Sequence, residues 1–210
     1  LRAGGEGAPL VFEQLPFART PELAERVSGD ESVAHALAYA QTLERLAGGD
    51  VPPRAAWLRV ALLELERLYN HVGDVGMIVN DTGFSWGHAH CFRLREELLR
   101  LNERLTGHRL MRGAVVPGGI AGPLAETTLA EAAGTVERIT AEFLDIARLC
   151  LRNTLVLERL QGTGRLSHEL ARELGVVGLA ARASGVDAAL RRDAPFAAYG
   201  ELAVTPAVYA

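Results

Sequence analysis

The chain has 210 residues, with 22 basic against 26 acidic side chains and a formal net charge of −4, so it carries no basic field for nucleic acid or an anionic membrane surface. Hydrophobic residues make up 49% and charged residues 23%, a globular balance that allows one substantial core or two small ones. Every basic residue is arginine, which excludes lysine chemistry, and Cys91 and Cys150 are too few and too far apart for a cysteine zinc site or an iron–sulfur cluster.

Residues 1–22 are punctuated by Gly and Pro and read as irregular. A helix is expected from Asp30 to Ala47, stopped by Gly48-Gly49. Its approach, "RVSGDESVAH", sets Ser28 and Glu31 at the spacing of a capping box, with Asp30 suited to the first turn. Asp50 and two prolines then open a long helix through "RAAWLRVALLELERLYNHVGDVG". A third helix is expected over "HCFRLREELLRLNERLTG", followed by the turn-rich "VVPGGIAGP". Val136, Ile139, Phe143, Ile146 and Cys150 recur at helical spacing and predict a further amphipathic helix. Beyond Leu160 the pattern breaks into short pieces. The fold class expected is mostly α: a bundle of long helices with irregular loops and little β. Residues 1–22 form an irregular N-terminal segment, 23–160 the helical core, and 161–210 an irregular segment with a short helix that packs on the core.

The long second helix is the most informative. Leu58, Leu62, Leu65, Tyr69 and Val72 fall on one apolar face. Arg59 and Glu66 share a second face, flanked by Ala55 and Gly73, and read as solvated. Glu64, Arg67 and His71 fall on a third, flanked by Ala56, Val60 and Leu63. A helix apolar on more than one side is usually buried, so this third stripe is either a buried, mutually paired network able to handle protons or a stripe with a packing or solvent role only. Asp81, beside Gly83, is either a turn former or an acidic site residue; Ser184 and Asp187 read as loop hydrogen-bonders. "GHAHC" (87–91) reads as a helix entry; on a helix His88 and His90 would point about 200° apart, unable to share a metal. Neither "VPGGIAG" nor "QGTGR" is a dinucleotide or P-loop fingerprint. No uninterrupted apolar run reaches the roughly 20 residues of a membrane span. No leader pattern is visible and residue 1 is Leu, which leaves open a piece of a longer protein.

"RVSGDESVAHALAYAQTLERLAG", "VPPRAAWLRVALLELERLYNHVGDVG", "RLREELLRLNERLTGHRLMRGAVVPGGI" and "GVVGLAARASGVDAALRRDAPFAAYGEL" follow one another in an order that resembles one family over residues 20–205. It joins the large subunit of membrane-bound nickel–iron hydrogenases of the formate-hydrogenlyase type with the catalytic-core large subunit of respiratory NADH–quinone oxidoreductase, complex I. The resemblance implies an oxidoreductase subunit, inactive alone, that shapes a cavity against a small subunit holding an iron–sulfur cluster. Other subunits would attach it to the cytoplasmic face of the inner membrane. Ser28 and Glu31 match the positions of nickel-ligating cysteines and supply no thiolate, so neither nickel nor any other metal bound by this chain is expected. A quinone at the subunit interface is expected instead. Gly29 matches the position of a quinone-contacting tyrosine in the complex I relatives. The resemblance further makes Ser28, Gly29, Glu31, His35, Arg182 and Ser184 cavity-lining, and Asp81, His71, Glu64 and Arg67 the proton-handling, catalytic set. The competing expectation is a non-catalytic scaffold or assembly subunit derived from a hydrogenase large subunit.

Overall fold

The structure, a computed structural model, describes residues 12–209. The chain divides into two compact units, one reaching to Glu158 and the other starting at Arg159. The first is a helical bundle. After a 3₁₀ turn at Phe17–Arg19 come α1 (Thr20–Ala24), α2 (Ser32–Ala47), α3 (Pro53–Asp81), α4 (Ser85–Thr106) and α5 (Glu126–Cys150). A further helix, α6 (Thr154–Leu160), runs across the point of division. The expectation of a mostly α fold is met. Within the stretch read as irregular, residues 17–22 are helical, with Pro21 in the first turn of α1; residues 1–11 lie outside the described residues.

Local chemistry sets the ends. Pro53 opens α3, where its missing N–H costs nothing, and Gly48 closes α2 in the left-handed conformation at φ 64°. The third expected helix starts earlier than its sequence pattern, at Ser85, so "GHAHC" lies inside α4. There Gly87 is buried among Cys150 Sγ, the Phe84 ring and Val79, which accounts for a small residue at that crossing. The turn-rich segment after α4 forms a two-stranded antiparallel hairpin, β1 (Val115–Val116) and β2 (Gly119–Ile120), with Val115 opposite Ile120.

The core lies where α3 and α4 cross. Val72, Leu94, Leu98 and Tyr69 are fully enclosed. Gly73 and Gly76 let the helices approach closely: a Cβ at Gly76 would stand 2.8 Å from Cys91 Cβ. α5 packs on α4 through Ile139 and Ile146, and across the rim Arg93 pairs with Glu97 and Glu142, and Arg138 with Glu97.

The second unit contains α7 (His168–Glu173), α8 (Gly178–Ala183), α9 (Leu190–Asp193) and a 3₁₀ turn at Tyr199–Glu201. These are three short helices rather than the one expected. Ser167 caps α7 by accepting from the Leu170 amide, and a backbone hydrogen bond from Tyr209 to the Arg182 carbonyl ties the last residues to α8.

Candidate functional site

Glu66, Tyr69 and Asn70 stand one turn apart on α3 and face the start of α2. The Glu66 carboxylate accepts from the amides of Val33 at 2.6 Å and Ala34 at 2.9 Å. These are among the four amides that a helix start leaves without an intrahelical acceptor. Tyr69 donates its hydroxyl to the Asp30 carbonyl at 2.5 Å, and Asn70 donates its amide to the same oxygen at 3.1 Å. One side of α3 therefore holds both ends of the Asp30–Ala34 segment. From α4, the Arg95 guanidinium lies over the Tyr69 ring at 5.6 Å and 3.9 Å from the Asp30 carboxylate. Arg112 donates to Ser32 Oγ at 3.3 Å, and Glu25 accepts from the Gly113 amide at 2.6 Å. Burial pushes the Glu66 carboxyl up to about 7, against the two amides that favour its charged form. Burial also raises Glu25 and the Tyr69 phenol.

This arrangement corrects two expectations. The capping box of Ser28 and Glu31 does not form. The first helical residue is Ser32, Glu31 is the N-cap, and its side chain makes no capping bond. The amides that a local cap would serve are taken by Glu66, 33 residues away. The two polar faces of α3 are also exchanged. Arg59 and Glu66, read as solvated, are 1% and 2% exposed. Arg59 makes a bidentate pair with Glu44, at 2.5 and 3.1 Å, and donates to the carbonyls of Val116 at 2.7 Å and Gly119 at 2.9 Å. Glu44 also accepts from the Gly118 amide at 2.7 Å, and the Arg59 hydrogen bonds hold its carboxyl below the usual range. Glu64, Arg67 and His71, for which a buried network is one of the two readings, are half-exposed. Arg67 donates to Glu64 at 3.2 Å, and His71 lies 3.9 Å from Asp74. The three border an apolar groove of about 470 Å³ between α3 and α5, floored by Leu62, Leu65, Leu105, Leu129 and Val136. The reason is where neighbours fall: α2 and the hairpin press on the Arg59–Glu66 face, whereas this groove is open.

The remaining candidates are dispersed. Ser28 is half-buried and Gly29 exposed, and a Cβ at Gly29 would meet nothing within 4 Å. His35 Nε2 is 3.9 Å from the Glu31 carboxylate, one turn along α2. Asp81 ends α3 in an exposed position, about 18 Å from Tyr69 at 1.5 Å rise per residue, so it does not share the Asp30–Ala34 site. Arg182 and Ser184 belong to the second unit. Arg182 donates to the Ala188 carbonyl at 3.4 Å, and Ser184 lines a cleft of about 720 Å³ with Arg165, Ser167 and His168. His88 lies 3.2 Å from the Gly76 carbonyl and packs tilted against the Phe92 ring, while His90 packs tilted against Trp86.

A nickel–thiolate centre does not fit these residues. Ser28 and Glu31 offer hard oxygen donors where soft sulfur is required. Cys91 and Cys150 are buried between helices, and burial pushes their thiols up, to about 11 for Cys91, so they are not thiolates at neutral pH. Among the described residues no three His, Cys, Asp or Glu side chains gather as a metal site, and no helix is long and apolar enough to cross a membrane.

Residues 81–209 match the family model of the respiratory-chain NADH dehydrogenase 49 Kd subunit. The chain is 36% identical over 193 residues to formate hydrogenlyase subunit 5 of Escherichia coli, covering 92% of this chain and 34% of that protein. It is also 36% identical over 193 residues to NADH-quinone oxidoreductase subunit 4 of Thermus thermophilus, covering 92% of this chain and 47% of that one. Its fold matches a chain of the membrane-bound sulfane sulfur reductase, an archaeal respiratory membrane complex, with TM-score 0.88 and 27% identity over 94% of this chain and 53% of the other. The chain thus spans between a third and about half of the length of these relatives. Agreement of sequence blocks, helical core and family match leads to one assignment: the chain belongs to the family of the respiratory-chain NADH dehydrogenase 49 Kd subunit.

Proposed function

We infer that this chain serves as the large-subunit element of a membrane-associated, complex I-like oxidoreductase, placing the Arg26–Glu31 loop against a partner subunit that carries an iron–sulfur cluster. The observation that carries this reading is the buried hold of Glu66, Tyr69 and Asn70 on Asp30–Ala34. A segment that resembles the family's active-site loop is anchored at its Asp30 end although the matching ligand positions are Ser28 and Glu31. Fixing a loop this way serves a site that positions a small acceptor such as a quinone, with electrons arriving by transfer from the partner. In that setting Ser28, Gly29, Glu31 and His35 would line the cavity. Asp81, exposed, and Glu64, Arg67 and His71, half-exposed, would act as proton-exchanging or partner-facing groups rather than as a buried relay. The complex would sit peripherally on the cytoplasmic face of the membrane, held there by other subunits.

The second reading, a scaffold that docks the iron–sulfur partner without turnover, is favoured by the hard donors at Ser28 and Glu31. Purification from native membranes, with metal analysis and identification of the co-purifying chains, separates the two. Iron and a small subunit without nickel, together with quinone-dependent turnover, support the enzyme reading. A complex that holds iron but never turns over supports the scaffold. In an active complex, His71→Ala is expected to lower coupled turnover well below wild type; unchanged turnover removes His71 from the proton-handling set.

A further inference from the structure

The geometry points to Glu66 as a positioning residue that ties the Arg26–Glu31 loop to α3 and loosens it on taking up a proton, so that the placement of the loop follows proton occupancy at one buried carboxyl. The functional consequence rests on the reading of that loop as part of the redox cavity; the latch itself does not.

The two oxygens of an ionised carboxylate accept separately, one from Val33 and one from Ala34. Protonation converts one oxygen into a donor, and the amide facing it loses its acceptor. That amide belongs to the first turn of a 16-residue helix, where backbone partial charge favours an anion. Burial favours the neutral acid. The two opposed effects leave the group near 7 rather than committed to one form. An ordinary cap is local and exposed, whereas this one is 2% exposed and reaches across 33 residues, so losing it loosens a tertiary junction.

The charged surroundings are few. Glu31, just before α2, disfavours ionisation, and Arg67 on α3 favours it. Tyr69 is adjacent on the same stripe, its phenol pushed up by burial. Arg95 from α4 covers the Tyr69 ring and approaches Asp30, and Arg112 reaches Ser32. When Glu66 lets go, Tyr69 and Asn70 still hold the Asp30 carbonyl, so the loop moves at one end only and the carboxyl stays enclosed without its amides. A proton therefore favours this loosened state, although against full unfolding, which exposes the carboxyl, it favours the folded one.

The test is amide hydrogen exchange of the full chain between pH 5.5 and 8.5, corrected for the intrinsic pH dependence of exchange and read at Val33 and Ala34. The expected result is protection about tenfold higher at the alkaline end, with a midpoint near 7. In Glu66→Gln, which cannot present two acceptors, protection should stay at the acid level throughout. Should Glu66→Gln fail to fold, carboxyl ¹³C titration of Glu66 in the wild-type chain gives the same midpoint directly. Wild-type protection that ignores pH, a Glu66 carboxyl that does not titrate in this range, or a Glu66→Gln chain that keeps the wild-type pH dependence would each overturn the latch. The readout needs no partner subunit. Exchange that follows pH in a complex whose turnover–pH profile is unmoved by Glu66→Gln would leave the latch standing and count against the cavity reading.

Discussion

Arg59→Met removes the centre of a buried polar cluster while keeping much of the side-chain volume. The guanidinium satisfies four acceptors: both Glu44 oxygens and the carbonyls of Val116 and Gly119. Without it, Glu44 retains the Gly118 amide, but its side chain, only 10% exposed, has lost its counter-ion. Breaking a buried pair by removing one partner costs about 3–5 kcal/mol, a large part of the stability of a typical domain. Urea denaturation followed by far-UV circular dichroism, at pH 7, should show that loss. The double variant Arg59→Met with Glu44→Leu removes the stranded charge and should recover about 1–2 kcal/mol. The hydrogen-bonded pair holds Glu44 below its ordinary value, so its contribution is present above about pH 4.5 and is lost as pH falls through the lowered value. Arg59→Met should therefore also lose that acid-side dependence. A loss below about 1 kcal/mol, as expected for an exposed arginine, would refute the buried clamp.

Folding raises Glu66 from 4.5 to about 7, so its neutral form is the one that folding favours. Stability is then fully present below about pH 4.5 and falls as pH rises through 7, by about 3 kcal/mol, and Glu66→Gln should flatten that slope in denaturation series from pH 5 to 8. Gly76→Ala should destabilise by about 1–3 kcal/mol, because the new Cβ meets Cys91 Cβ at 2.8 Å and the Phe92 ring at 3.0 Å. Gly134→Ala, with nothing within 4 Å on an exposed helix face, should instead gain about 0.5–1 kcal/mol; equal shifts in thermal midpoint at the two sites would refute the close crossing. Gly29→Tyr should change stability by no more than about 0.5 kcal/mol, and a loss of several would show that the space beside the loop is filled.

Helix placement was legible because its signals are local: Pro53 opening α3, Gly48 closing α2, and the spacing of Val136, Ile139 and Ile146 along α5. The hairpin was not, since two residues per strand carry no usable alternation, and its anchor is Arg59 on another element. The polar faces of α3 were separated correctly by periodicity, but the Arg59–Glu66 face, read as solvated, is the buried one. Periodicity says which side chains share a face, not what packs there: the partners of Arg59 lie 15, 57 and 60 residues away, and the Val33 amide held by Glu66 lies 33 away. A signal was available: Ala55 and Gly73 flank that face, and small residues beside charged ones mark a close neighbour that must supply pairing. The capping box failed for the same reason, its amides being claimed by a distant carboxylate.

The glycine crossing has a mechanical consequence. α3 is gripped at Glu66, Tyr69 and Asn70 by the segment it holds, and within two further turns it is keyed into α4 at Gly73 and Gly76. A rod notched at two neighbouring points cannot slide lengthwise without driving backbone into side chains. Any signal passing between the loop end and the Asp81 end of α3 therefore has to travel as charge, or as a twist beyond the second notch, and not as a piston stroke.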